Sequence, residues 1–210
     1  SDVLDLCLAQ PACSRFLATK LLRTFVTASP SEKQVEQVAL SYQRQHLQTG
    51  PVLRDVCRSP EFFAPAQRRS LIKSPLDFVL GTLRPFAVQI HWQPVRELLA
   101  RMGQDVFDPP SGKGWDGGRR WIQSTGWILR WNFVTALVQE QRVARLRPEL
   151  WNGGPEQPLP QWELLLLGGS PAAEIHSALV RQWEEAGADD RARRQATLLM
   201  LLSLPEYQLM

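Results

Sequence analysis

The feature that most limits how this chain can fold is a repeated pairing of serine with a following proline. It occurs at Ser29-Pro30, Ser59-Pro60, Ser74-Pro75 and Ser170-Pro171. A serine hydroxyl accepts a hydrogen bond from an orphan backbone N–H at the start of a helix. Proline suits the next position, where its missing N–H costs nothing. Sixteen prolines placed in this way punctuate helices rather than scatter the chain into loops. Ser29-Pro30-Ser31-Glu32 reads as a capping box in which Glu32 reaches back to Ser29. Gly50-Pro51 reads as glycine ending one helix and proline starting the next.

The apolar periodicity agrees. Phe16, Leu17, Leu21, Leu22, Phe25 and Val26 form one helical stripe, and Val35, Val38, Ala39 and Tyr42 another. Phe78, Val79, Leu83 and Phe86 follow, with Pro85 ending or kinking that helix. Val95, Leu98, Leu99 and Met102 make a short stripe stopped at Gly103. Further stripes contain Ile128, Leu129, Phe133 and Leu137, then Ile175, Leu179 and Trp183, then Ala196, Leu199, Met200 and Leu202. No segment alternates cleanly with period two, so no sheet is expected. The fold class read from this pattern is all-α, an irregular multi-helix bundle with a long, ordered Pro/Gly/Trp-rich loop. The expected organisation is a main helical domain over 1–146 including loop 106–121, a connecting segment 147–161, and C-terminal helices over 162–210 packing on the same core.

Charge excludes little. Lys and Arg number 24 against 21 Asp and Glu, a formal excess of +3. The basic residues are scattered and no groove-reading motif accompanies them, which argues against nucleic acid. No apolar run approaches the roughly 20 residues of a membrane span. The chain begins at Ser1 rather than Met, as expected of a fragment or processed product. Cys7, Cys13 and Cys57 fit neither a metal nor a redox spacing and read as small buried apolar residues.

One stretch stands apart: VFDPPSGKGWDGGRRWIQSTGWILRW, residues 106–131, with two prolines, five glycines and four tryptophans. Gly112-Lys113 invites a phosphate-loop reading. That motif needs a glycine where Phe107 stands and Ser or Thr where Gly114 stands, so nucleotide binding is excluded. Trp115, Trp121, Trp127 and Trp131 could offer flat faces to a sugar or peptide, with Lys113 and Asp116 as polar partners. The other reading makes them core anchors, since Trp127 and Trp131 are four apart on one helix face. His46, His91 and His176 stand alone, with no Cys, His or paired carboxylate at ligand spacing, so no metal, cofactor or catalytic residue is assigned. Arg130 and Asn132, two apart, point to different faces of their helix. Either could satisfy carbonyls of the glycine-rich loop, a structural more than a chemical role.

Residues 103–133, GQDVFDPPSGKGWDGGRRWIQSTGWILRWNF, resemble the hallmark of a bacterial family known as domain of unknown function 1800. The matching positions are Gly103, Gln104, Phe107, Pro109, Pro110, Gly114, Trp115, Gly117, Gly118, Trp121, Arg130 and Asn132. The opening DVLDLCLAQPACSRFLATKLLRTFV, the segment RDVCRSPEFF with IKSPLDFVLGTLRPF, and the terminal LLSLPEYQ are similar to the family too. Cys13-Ser14 stands where the family has Thr-Ala, and Ser111-Gly112 where it has Asn-Val. Members are typically longer, so the chain resembles their C-terminal part. The resemblance implies an exported or envelope-associated protein, periplasmic or at the cell surface, encoded near a sulfatase-like protein that could be its partner.

The functional expectation is a binding or assembly domain whose candidate site is Lys113, Trp115, Asp116, Trp121, Arg130 and Asn132, with glycan as a possible ligand class. The alternative is part of a hydrolase acting on a polymer, a glycan or a sulfated or phosphorylated substrate, with other catalytic groups outside this chain. A carboxylate and a histidine meeting in a pocket beside the loop would favour the alternative.

Overall fold

A computed structural model describes residues 2–139, 142–151, 158–187 and 189–210. It contains ten α-helices and a single two-stranded sheet among the described residues. The chain divides into two compact units, residues 1–71 with Met210 and residues 72–209. The break falls after Leu71, inside the span 1–146 read as one main domain. The apolar side chains sort into two separate clusters, and those after the 147–161 segment join the second one. Residues 152–157 of that segment lie outside the described residues.

The first unit holds α1 (Asp2–Ala9), α2 (Pro11–Phe25), α3 (Glu32–Arg44) and α4 (Thr49–Arg58). Its core is Ala18, Leu21, Leu22, Val26, Val35, Val38, Ala39, Tyr42, Val52 and Val56. Pro11 opens α2. The cap of α3 is Ser31, whose hydroxyl accepts from Gln34 N–H while the Gln34 side chain accepts from Ser31 N–H. The capping box is therefore two residues later than the Ser29–Glu32 reading. Glu32, inside the first turn, pairs instead with Arg15. Gly50 does not end a helix. The chain leaves α3 through His46 and Leu47, both with positive φ, and Gly50-Pro51 lies inside the first turn of α4. Ser59 follows α4 and accepts from Phe62 N–H, closing a turn rather than starting a helix.

The second unit holds α5 (Pro75–Phe86), β1 (Ala87–Ile90), α6 (Trp92–Arg101), α7 (Ser124–Val138), β2 (Ala144–Leu146), α8 (Leu159–Leu167), α9 (Ala173–Glu185) and α10 (Asp190–Ser203). Ser74 caps α5 in a box with Asp77, and Pro75 is its first residue. Pro85 lies in its last turn, and the helix ends at Phe86. By contrast, Ser170-Pro171 precedes α9 without capping it, since the flanking residue is Ala172. The sheet was not expected. β1 and β2 pair antiparallel, Gln89 with Arg145 and Ile90 with Ala144. Strands of four and three residues are too short to show a period-two pattern.

The second core centres on Phe78, whose ring meets Phe133 and Tyr207 edge-on, each at 5.7 Å between centroids. Leu83, Leu137, Leu179, Leu198 and Leu201 close around it, so α5, α7, α9 and α10 share one interior. The Tyr207 hydroxyl is 2.7 Å from that of Thr82. Burial pushes the Tyr207 phenol up from 10.0 to about 12, and the Thr82 bond offsets part of the rise. Ile72 forms an antiparallel bridge with Leu209, and Lys73 N–H donates to the Gln208 carbonyl. The cysteines are not core residues: Cys7 is exposed and Cys13 and Cys57 are partly exposed, all three as free thiols. Among the described residues no helix is long and apolar enough to cross a membrane.

Candidate functional site

The loop between α6 and α7 is an ordered clasp built around one indole. Helix α6 ends because Gly103 adopts φ 88°, a left-handed turn that lets Gln104 N–H reach back to the Leu99 carbonyl. The Gln104 side chain then accepts from Leu76 N–H at 2.8 Å, fastening the loop entry to the start of α5. Beyond Pro109-Pro110, Ser111 accepts twice: its carbonyl from Gly114 N–H and its hydroxyl from Lys113 N–H. Gly114, Gly117 and Gly118 all have positive φ, a conformation that resists side chains. These turns lead into a 3-10 turn over Gly118–Ile122 that drives Trp121 inward, to 9% exposure.

Glycines surround that indole. A Cβ on Gly103 would lie 3.9 Å from the Trp121 ring, and one on Gly117 would lie 3.7 Å from its Nε1. A Cβ on Gly126 would sit 2.8 Å from the Trp121 carbonyl oxygen, closer than real Cβ atoms approach backbone. The first turn of α7 can therefore lie against the clasp only because residue 126 lacks a side chain.

A cleft of about 310 Å³ opens beside the clasp. Trp115, Asp116, Trp121 and Pro110 line it together with Arg101 and Arg120. Trp115 is half-buried, presenting part of its ring, whereas Asp116 is exposed and pairs with Arg120 at 2.6 Å. Of the six residues expected at the site, the structure brings Trp115, Asp116 and Trp121 together. Lys113 is exposed on the same loop but does not line the cleft, and Asn132 is exposed on α7.

Arg130 has another place. It is 2% exposed, and its guanidinium donates to the Lys73 carbonyl at 2.6 Å and to Gln208 Oε1 at 3.0 Å. It also lies over the Phe78 ring, 4.8 Å from the centroid. Burial lowers its pKa to about 10, with nearby Asp77 opposing the shift, so it stays charged at neutral pH. Its partners are thus one backbone carbonyl and one side-chain amide, not the carbonyls of the glycine-rich loop that were expected. Trp127 and Trp131 share a helix face, and that face points outward: they are 38% and 46% exposed.

Sequence reasoning missed two things. Arg101 and Arg120 contribute the cationic side of the cleft. Glu163 and His176 meet at 2.7 Å, with Glu163 only 1% exposed and His176 about half so. The turn after α8 folds α9 back and creates this pair, through Gly168 at φ 68° and Gly169 at φ 138°. The signal available was a lone carboxylate inside an apolar run, QWELLLL. The pair does not line the cleft beside the clasp. Among the described residues no three His, Cys, Asp or Glu side chains gather as a metal site.

A family described as protein of unknown function (DUF1800) matches residues 1–209, nearly the whole chain, and the protein belongs to it. No curated protein and no solved structure matches the chain.

Proposed function

We propose that this member of the DUF1800 family acts in binding or assembly, with the clasp between α6 and α7 as its ligand-bearing surface. The observation that carries this reading is the sorting of the loop's aromatic groups. Trp121 is consumed in holding the loop together, while Trp115 keeps part of its ring open beside Arg101 and Arg120. A rigid loop does not have to be ordered when a ligand arrives, so little affinity is lost to entropy. Large aromatics with arginine neighbours are also the side chains most enriched at binding hot spots.

The cleft's lining charges are Arg101, Arg120 and Asp116, a net single positive charge next to an indole face. That combination suits an acidic glycan, whose ring can stack while its carboxylate or sulfate meets a guanidinium. Lys113, exposed at the tip, extends the cationic rim. A sulfatase-like protein remains the partner that the family resemblance implies, and an acidic face on such a partner would meet the same groups. Affinity electrophoresis through gels holding polygalacturonate or heparin tests the reading. Retardation that falls in Trp115→Ala and Arg101→Ala supports it. Mobility identical for wild type and both variants in both gels counts against it.

One contact bears on the hydrolase reading: Glu163 and His176 meet at 2.7 Å, the histidine–carboxylate pairing that general bases use, but away from the cleft beside the loop where that reading expects it. Under this reading, hydrolysis of nitrophenyl acetate, sulfate or phosphate by the purified chain is lost in His176→Ala and retained in Trp115→Ala.

A further inference from the structure

A second surface, on the opposite kind of chemistry, carries an inference that does not depend on the clasp. A shallow groove of about 560 Å³ runs between α7, α9 and α10. Every described residue that lines it is uncharged. This is unusual in a chain that is 21% charged. Its polar members are Gln139, Gln182, Gln195 and Ser203, and its aromatic member is Trp131.

These groups are available. The side chains of Gln139 and Gln182 make no hydrogen bond to any described residue. Gln195 donates through Nε2 to the Val138 carbonyl at a long 3.4 Å, which leaves its Oε1 open. Ser203 donates to the Leu199 carbonyl and keeps its acceptor lone pairs. Trp131 is 46% exposed, and Trp127 precedes it by one helical turn on the same face, 38% exposed. A small cleft lined by both indoles, Ser203 and the buried Arg130 lies between them.

We infer that this groove is a binding site for a neutral oligosaccharide chain. In the groove itself an ionic ligand would lose hydration and find no opposite charge among the described lining residues, which is costly. A purely apolar ligand would strip water from four polar side chains and return no hydrogen bonds. A sugar does neither. Its hydroxyls both donate and accept, matching primary amides and a serine hydroxyl, and its C–H face can lie on an indole. Two indoles one turn apart, with a groove continuing from the second, fit successive rings of one chain.

The experiment titrates the purified chain with cellohexaose, laminarihexaose and maltohexaose, neutral glucose hexamers of different linkage, by calorimetry and tryptophan fluorescence. At least one hexamer is expected to bind with a Kd at or below about 1 mM. Trp131→Ala should weaken that binding by about tenfold or more. Gln182→Ala, a milder change on a different helix, should weaken it several-fold with an unchanged Tm. Trp115→Ala, on the clasp, should leave it unaltered. No binding by any hexamer overturns the inference, and so does binding indifferent to both Trp131→Ala and Gln182→Ala. Self-association of the wild type that Trp131→Ala abolishes would also overturn it, by assigning the face to a second copy of the chain.

Discussion

Replacing Arg130 by methionine keeps the aliphatic stem of the side chain and removes the guanidinium. Two acceptors then lose their donor, the Lys73 carbonyl and Gln208 Oε1. Hydrogen bonds to a charged group contribute roughly 1.5–3 kcal/mol each. Against this stands the relief of burying a charge. The fall of the Arg130 pKa to about 10 places that relief at about 3 kcal/mol. Two such bonds come to roughly 3–6 kcal/mol, so the balance is a net loss of about 0–3 kcal/mol for Arg130→Met. Arg130→Ala should lose a further 1 kcal/mol or so, because the buried aliphatic stem goes as well. For a chain of this size 1 kcal/mol moves Tm by roughly 2–4 °C. Thermal and urea unfolding should thus show Arg130→Met lower by up to roughly 10 °C, and Arg130→Ala lower still. Gln208 also donates to the Leu202 and Leu204 carbonyls, so the loss should include loosening of the chain's last turn. A methionine variant clearly more stable than the wild type would refute the reasoning, because it would mean that burying the charge costs more than both of its hydrogen bonds return.

Tyr207 gives a pH dependence of defined sign. Its folded pKa lies above its unfolded one, so its contribution is intact below pH 10 and is lost as pH rises toward about 12. Urea unfolding across that range should show the wild type losing on the order of 2–3 kcal/mol relative to Tyr207→Phe, a difference in which the opposite contribution of Arg130, with its pKa lowered to about 10, cancels. Gly126→Ala should destabilise by about 1–3 kcal/mol despite alanine's better helix propensity, because its methyl would meet the Trp121 backbone; an unchanged or raised Tm would contradict the packing described. Trp121→Ala should cost about 3–5 kcal/mol and open the loop to trypsin at Lys113, Arg119 and Arg120; loss of stability without faster cleavage there would separate the indole from the clasp.

The sequence disclosed what is decided within a few residues. The Ser74-Pro75 start is such a case, since the cap, the proline and the Asp77 partner all lie within one turn. At Ser29 to Gln34 the same chemistry offered two serines two residues apart; Ser31 caps with Gln34, while Glu32 pairs with Arg15 from another helix. Periodicity placed Trp127 and Trp131 on one face but carries no sign telling inward from outward. Their face is outward because Leu129, Phe133, Val134 and Leu137 already occupy the inward one. The break after Leu71 has no glycine-rich linker to mark it, whereas the Pro/Gly-rich 147–161 segment lies within the second unit. As for the site, the glycines announced tight turns and Trp121 an anchor. Arg101 and the Glu163–His176 pair required knowledge of which helices fold back on which, and that is set by contacts distant in sequence.

The bridge between Ile72 and Leu209 has a topological meaning for the second unit. The segment enters and leaves its own fold at a single pair of residues, so it is in effect a ring closed by hydrogen bonds instead of a peptide bond. Joining residue 209 to residue 72 through a short connector and opening the chain at an exposed turn would give a circular permutant with the same interior. The same geometry lets such a unit hang from another sequence through one attachment point, as inserted domains do, without stretching or reordering its helices.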